Sequence, residues 1–388
     1  MSRWWHKEES LKIEEYELGQ LLSYEQPTPY IVESTKYNDA YKTPVLTAGK
    51  SFIIGYTDET DGIYTKLPVI IFDDFTTSTQ YVNFNFKVKS SAMKILTANT
   101  SLVLPKYIFY QMQIINFDHS THKRYWIQQY SKMKVKIPPL SVQEQVVRKI
   151  EELFSELDKG VETLQTIKEQ LAVYRQAVLK EALNGIKGQP YTVKDVCKEI
   201  KVGIVIKPSQ YYTDEQVGIK AFRSANVREF HVEDKNWAYL SIAGHQANAR
   251  SIVHTGNILI VRSGYPGTAC VVPEQFNGCN AIDILIAVPN RDLVLPEFLC
   301  AYTNSPLGKK FVNEKKRGVG QKHFNVSGYS KMLISVPSLD KQEEIVKKIA
   351  SRLSVCDSIE RTVNTALAQA EAMRQSILKK AFEGVLCK

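Results

Sequence analysis

Apolar residues along this chain follow two different periods. In residues 141–184 they recur at Val146, Ile150, Leu153, Leu157, Val161, Leu164, Ile167, Leu171, Tyr174 and Val178. Steps of three or four are the narrow seam of a coiled coil rather than the wider face of a globular helix. The segment holds no Pro and one internal Gly, Gly160. Ser141, with Glu144 three positions on, predicts a capping box, and Asn184-Gly185 supplies the stop. A second stretch starts at Asp340 and runs Ile345, Ile349, Leu353, Cys356, Ile359, Val363, Leu367, Ala370, Met373 and Ile377 to Glu383-Gly384. Helices of about 44 residues reach roughly 66 Å. Seams that long need cover, and an antiparallel pair is the economical way to give it.

The two stretches are copies. Tyr130-Ser131-Lys132-Met133 recurs as Tyr329-Ser330-Lys331-Met332, an offset of 199. Pro138, Leu140, Gln143, Glu144, Val147, Lys149 and Ile150 recur at the same offset, as do Arg175-Gln176 and Gly185. Eleven of the 21 positions 130–150 are identical, which chance does not give. Upstream, Leu102-Val103-Leu104-Pro105 recurs as Leu293-Val294-Leu295-Pro296. Earlier still the match fades to a loose pairing of Tyr16-Glu17-Leu18 with Tyr191-Thr192-Val193.

Outside the helices the period shortens. Runs at 52–54, 69–72, 258–261 and 284–286 predict strands, and 105–113 and 296–302 predict helical stretches. The expected class is α+β, with a mostly antiparallel, curved sheet in each head. Without tandem βα alternation, a doubly wound parallel sheet is not expected. The predicted organisation is a head at 1–140, a helix at 141–185, a head at 186–339 and a helix at 340–388. Two globular domains would be joined by an antiparallel coiled coil with pseudo-twofold symmetry.

Composition narrows the class. With 388 residues and 44% hydrophobic content the chain is globular rather than disordered. No apolar run approaches a membrane span, and residues 1–10 lack the apolar core of a secretory signal. Six scattered Cys without a Cys-x-x-Cys predict free thiols and a cytoplasmic protein. The net charge is +9, and residues 186–339, with 19 basic against 12 acidic side chains, hold most of it. That points to a polyanion and puts most of the excess in one head.

Catalytic signatures are missing. There is no Gly-x-Gly-x-x-Gly after a strand, no P-loop and no Asn/Asp-Pro-Pro-aromatic segment of an amino-methyltransferase. His119-x-x-His122 lacks further ligands at metal spacing. Glu314-Lys315-Lys316 with Asp283 is a short nuclease-like pattern, more simply read as a basic loop. No catalysis, metal or cofactor is expected of this chain.

Base readout needs Arg, Asn, Gln, Ser or Thr on loops, with basic groups on phosphates. In the second head the candidates are Arg223, Ser224, Asn226 and Arg228, then Arg262, Ser263 and Tyr265, then Lys316, Arg317, Gln321 and Lys322. In the first head they are Thr47 and Lys50, then Thr76, Thr77, Ser78 and Gln80, then Lys123 and Arg124. Double-stranded DNA is the expected ligand.

The chain resembles the DNA-specificity subunits of type I restriction–modification systems. The resemblance rests on Ile137-Pro138-Pro139-Leu140-Ser141-Val142-Gln143-Glu144-Gln145 opening a long helix, on its copy Val336-Pro337-Ser338-Leu339-Asp340-Lys341-Gln342-Glu343-Glu344, and on Gly256-Asn257-Ile258-Leu259-Ile260 with Gly264 and Gly267. The second copy departs from the pattern at Ser338 and Glu344. The resemblance implies two target-recognition domains, each reading half of a split asymmetric site, with the helices as a ruler between them. It implies methylation subunits, two per chain, that carry S-adenosylmethionine and methylate adenine. It also implies restriction motor-nuclease subunits that use ATP and Mg. Gln143, Glu144, Gln342 and Glu343 become the candidate partner-binding residues. Rival readings stand beside it: a specificity subunit or self-contained enzyme of a related, type II-like restriction or methylation system, and a coiled-coil adaptor whose heads bind proteins.

Overall fold

A computed structural model of the chain describes residues 13–47, 51–119, 124–316 and 324–385. The chain folds as two compact units, the first from residues up to Leu164 together with those from Thr365 on, the second from Gln165–Asn364. Both division points fall inside a long helix, so each unit holds a head and a stretch of both helices.

In unit 1 the strands are β1 (Glu14–Glu17), β2 (Leu22–Glu25), β3 (Thr43–Leu46), β4 (Ile53–Thr57), β5 (Val69–Asp73), β6 (Thr79–Val82), β7 (Lys87–Val88), β8 (Met93–Ala98) and β9 (Lys134–Ile137). They form sheets of order β1-β9, β2-β8-β5-β6 and β4-β3-β7. In unit 2 the strands are β10 (Gln189–Thr192), β11 (Cys197–Val202), β12 (Ile219–Phe222), β13 (Ala238–Leu240), β14 (Ile258–Val261), β15 (Ala269–Val271), β16 (Asn280–Ala281), β17 (Ile284–Pro289) and β18 (Leu333–Val336). Their sheets are β10-β18, β11-β17-β14-β15 and β13-β12-β16. Among the described residues the two orders are the same, strand for strand, and each includes a parallel pair, β3 with β7 and β12 with β16. The duplication thus runs through the heads, where sequence identity had faded. The α+β class and its antiparallel bias hold. The single curved sheet expected per head is instead three small ones.

The four predicted strands are β4, β5, β14 and β17, and the two helical stretches are α2 (Pro105–Met112) and α5 (Pro296–Asn304), with α1 (Leu18–Leu21), α4 (Ile242–Ala247) and α7 (Val326–Ser330) as shorter helices. β5 and β14 are buried along their whole length, as central strands covered on both faces are. The long helices are α3 (Leu140–Leu183) and α8 (Leu339–Phe382). Each starts before the expected cap, so Ser141 lies inside the first turn. The Pro139 carbonyl accepts from the amides of Val142 and Gln143 in its place.

Within unit 2 rising positions on α3 meet falling ones on α8. Lys168 bonds Asn364, Arg175 pairs with Asp357 and Glu360, and Glu181 pairs with Arg352 and Lys348. That is the antiparallel arrangement. In unit 1 Arg374 pairs with Asp158 and lies 4.3 Å from the ring centre of Phe154. The ion pair of Arg175 with Asp357 and that of Arg374 with Asp158 are copies at the offset of 199. Most seam positions are covered, but Tyr174, Ile359 and Met373 are exposed. At Tyr174 the guanidinium of Arg352 covers the ring and donates to the hydroxyl, at 3.1 Å.

Candidate nucleic-acid interface

The motif that opens each long helix is a latch. Gln143 is fully buried, and its Oε1 accepts from the Leu104 amide at 2.8 Å. Its Nε2 donates to the carbonyls of Leu102, at 3.0 Å, and Pro138, at 2.8 Å. Gln342 repeats this with the Leu295 amide and the carbonyls of Leu293 and Pro337, at 2.8, 2.9 and 2.9 Å. The repeated Leu-Val-Leu-Pro and Pro-x-Leu…Gln motifs therefore meet in space, fixing the start of α2 to α3 and of α5 to α8. A buried amide with its groups satisfied has nothing left to offer a second protein. Gln143 and Gln342 are thus corrected from partner-binding to structural residues. Glu144 and Glu343 remain exposed, with Glu343 paired to Lys347 at 2.8 Å.

In head 1 the turn after β5 carries Thr76, Thr77 and Ser78, and Gln80 lies on the edge strand β6. The Asp73 carboxylate accepts from the amides of Phe75 and Thr76, at 2.8 and 3.2 Å, and Thr77 is held at a φ of 57°. His119 Nε2 lies 2.9 Å from the Thr77 hydroxyl and 3.0 Å from the Thr76 carbonyl oxygen. The Arg124 guanidinium lies 5.9 Å from the ring centre of the exposed Phe75. Thr76, Thr77 and Arg124 are thereby gathered, and Thr76, Ser78, Gln80 and Arg124 face solvent. Thr47 is half-buried after β3, its hydroxyl donating to the Ser51 carbonyl at 2.9 Å. Lys50 and Lys123 lie outside the described residues, as does His122.

In head 2 three segments converge on a cavity of about 290 Å3 lined by Glu229, Gly264, Tyr265, Thr268, Lys309 and Asn313. They are the loop after β12, the loop after β14 and α6 (Pro306–Lys316). Tyr265 is 85% exposed at the tip of the second loop, whose glycines Gly264 and Gly267 sit at φ 80° and 86°. Gly267 also faces Val312 of α6, where a Cβ would come within 3.0 Å of the valine side chain. Arg228 is exposed, and Ser224 and Ser263 are half-buried.

Two expected DNA contacts fail on burial and pairing, and a third is tied down. Asn226 is fully buried, accepting from the Arg223 amide and donating to the carbonyls of Glu233 and Lys235. It locks its own loop. Arg262 is ion-paired to Asp283, and its Nε donates to the Phe324 carbonyl at 3.2 Å. Arg223 is half-buried and donates to the Asn236 carbonyl. Residue type announced polarity at all three, but not which polar groups the fold uses itself. Arg317, Gln321 and Lys322 lie outside the described residues, and Lys316 is described only as the last residue of α6.

Sequence reasoning missed Lys94 and the role of Asp74. The two carboxylate and ammonium groups lie 3.3 Å apart with 3% and 1% exposure. They are twenty positions apart in sequence, and only the pairing of β5 with β8 brings them together. Asp283 drew notice as a metal ligand but is held by Arg262, and Glu314 reaches Lys310 at 4.0 Å. Among the described residues no three metal-ligating side chains gather. Burial pushes the Cys279 thiol up to about 11 and those of Cys197 and Cys270 to about 12, far from a reactive thiolate. Among the described residues no helix is long and apolar enough to cross a membrane.

Residues 187–369 match the family described as "Type I restriction modification DNA specificity domain". The specificity subunit of the type I restriction enzyme EcoR124I/EcoR124II of Escherichia coli is 42% identical over 183 residues, 44% of this chain and 45% of that protein. The EcoKI specificity subunit of Escherichia coli (strain K12) is 27% identical over 275 residues, 66% of this chain and 58% of that protein. The matches thus span about half the length of these relatives. A solved structure reported as the "Structural basis underlying complex assembly and conformational transition of the type I R-M system" shares the fold, with a TM-score of 0.67 at 16% identity, over 97% of this chain and 100% of that one.

Proposed function

We propose, from the match of residues 187–369 to the type I restriction modification DNA specificity domain family, that the chain is the DNA-reading subunit of a type I restriction–modification complex. Each head reads one half of a split site on double-stranded DNA. Methylation subunits, two per chain and carrying S-adenosylmethionine, act on adenine there. Restriction subunits, using ATP and Mg, cleave DNA that lacks the mark. The chain itself performs no catalysis and works in the cytoplasm.

The observation that carries this reading is the strand-for-strand identity of two heads whose loops differ. One scaffold used twice with different exposed side chains is what reading two different half-sites requires. In head 2 the readers are Arg228 and Tyr265, with Ser224 and Ser263 beside them. In head 1 they are Thr76, Ser78, Gln80 and Arg124. Lys50, Lys123, Lys316, Arg317, Gln321 and Lys322 bind phosphate in this reading. Glu144 and Glu343 face the methylation subunits.

Long-read methylome sequencing of a host expressing this chain with its methylation partner tests the proposal. A split, asymmetric adenine motif is the expected result. Methyl transfer or metal-dependent cleavage by the purified chain alone would overturn it. Inserting one heptad within 160–171 and its opposite number in α8 should lengthen the gap between the halves. An unchanged gap would remove the ruler.

A further inference from the structure

In both heads one residue leaves the central strand at the same place in the fold. Asp73 pairs with Met93 at the end of β5, and Val261 pairs with Ile284 at the end of β14. The next residues are Asp74 and Arg262. The Asp74 carbonyl accepts from the Tyr125 amide at 2.9 Å, and the Arg262 carbonyl accepts from the Phe324 amide at 3.1 Å. Tyr125 and Phe324 are themselves copies at the offset of 199. So the same backbone knot joins the base of the loop after the central strand to the point where the chain re-enters its core.

The side chains tighten that knot with opposite charge. Asp74 accepts from the Trp126 amide at 2.9 Å and lies 3.3 Å from the Lys94 ammonium. Arg262 donates to the Phe324 carbonyl and pairs with Asp283. Asp283 adopts a φ of 50°, a left-handed conformation that Asp tolerates better than most non-glycine residues. Asp74 is buried and Arg262 is committed within the fold, so neither is a DNA contact. Asp74 stands two residues before the exposed Thr76, and Arg262 three residues before the exposed Tyr265.

The geometry points to Asp74 and Arg262 as positioning residues for specificity, each fixing the reading loops of its own head. This rests on the proposed function. The knot holds the loop base so that a small set of side-chain positions is presented, and without it the loop samples several. Loss of the knot then relaxes base choice in one half-site and leaves the other half intact.

The test is the methylome of hosts expressing the methylation partner with wild-type chain, Asp74→Asn, Arg262→Met, Asp283→Asn or Arg262→Lys, together with the thermal unfolding midpoint of each purified chain. Arg262→Met and Asp283→Asn should raise methylation at sites altered in one half by tenfold or more, with the other half as strict as in wild type. Asp74→Asn should do the converse, and Arg262→Lys, which keeps the charge, should restore much of the strictness. Asp283→Asn sits at the exposed end of its pair and keeps the test open if a buried change prevents folding. A variant with a lowered midpoint but the wild-type motif assigns the knot to stability alone and overturns the inference. Loss or relaxation of both halves together overturns it too. A wild-type chain that directs no split motif overturns the proposed function, and the inference with it.

Discussion

Head 1 closes its loop base with an ion pair sealed from water, Asp74 with Lys94, whereas head 2 uses Arg262 with an Asp283 that is 45% exposed. The strand order around the two pairs is the same. A sheet needs apolar strands in a given order, and Val, Ile and Leu exchange freely there. A loop base needs its backbone amides and carbonyls satisfied, and either sign of charge can do that. The fold therefore constrains position tightly and chemistry loosely. That is how a duplicated head can change its exposed loops while keeping its frame.

The contrast in burial predicts the largest effect on stability. Lys94→Met leaves the Asp74 charge buried without its counterion and should cost about 3–5 kcal/mol. Asp283→Asn, at a partly solvated pair, should cost about 1 kcal/mol. Urea unfolding of the two variants reads the difference, and equal losses would remove the contrast. Next come the latches, where the heads should agree. Gln143→Ala and Gln342→Ala each strand buried backbone groups of a Leu-Val-Leu-Pro turn, at about 1–3 kcal/mol. Native-state hydrogen exchange should show the amide of Leu104 losing protection in the first variant and that of Leu295 in the second. Protection lost at both turns in either variant would contradict independent latches.

Smaller effects follow on the helices. Arg374→Ala and Arg175→Ala remove copied, solvent-screened ion pairs and should each shift stability by less than about 1 kcal/mol. A larger loss at Arg374 than at Arg175 would show that its contact with Phe154 matters more than charge. The smallest effect is on acid stability. The Lys87 ammonium, with backbone amides of Ser34 and Glu33, holds the Glu59 carboxyl below its ordinary value. A lowered folded-state value means the contribution is complete above the ordinary carboxylate range and is lost as pH falls through the folded value. Glu59→Gln should flatten the acid limb of a stability–pH curve, and an unchanged limb would discount the pair.

Much of the frame was legible because it obeys periodic rules. Seam spacing located α3 and α8, and the repeated Leu-Val-Leu-Pro and Gln-Glu motifs marked the places where Gln143 and Gln342 latch. What those glutamines do was not legible, since a polar residue on a helix reads the same whether it faces solvent or a buried turn. Asn226 and Arg262 were misjudged for the same reason. The common strand order was hidden because the identities that would reveal it lie in strands where apolar residues interchange. The pairing of Asp74 with Lys94 carries no local signal at all, being made by strand register.

The central claim is that two copies of one scaffold read DNA separately. Its most direct measurement is the methylome of hosts carrying Tyr265→Ala or Gln80→Ala, side chains exposed on the loop after β14 and on β6. The account predicts that Tyr265→Ala alters base choice in one half of the motif only and Gln80→Ala in the other half only, with the spacing unchanged. Changes that fall in the same half for both variants, or in both halves for either, would contradict it.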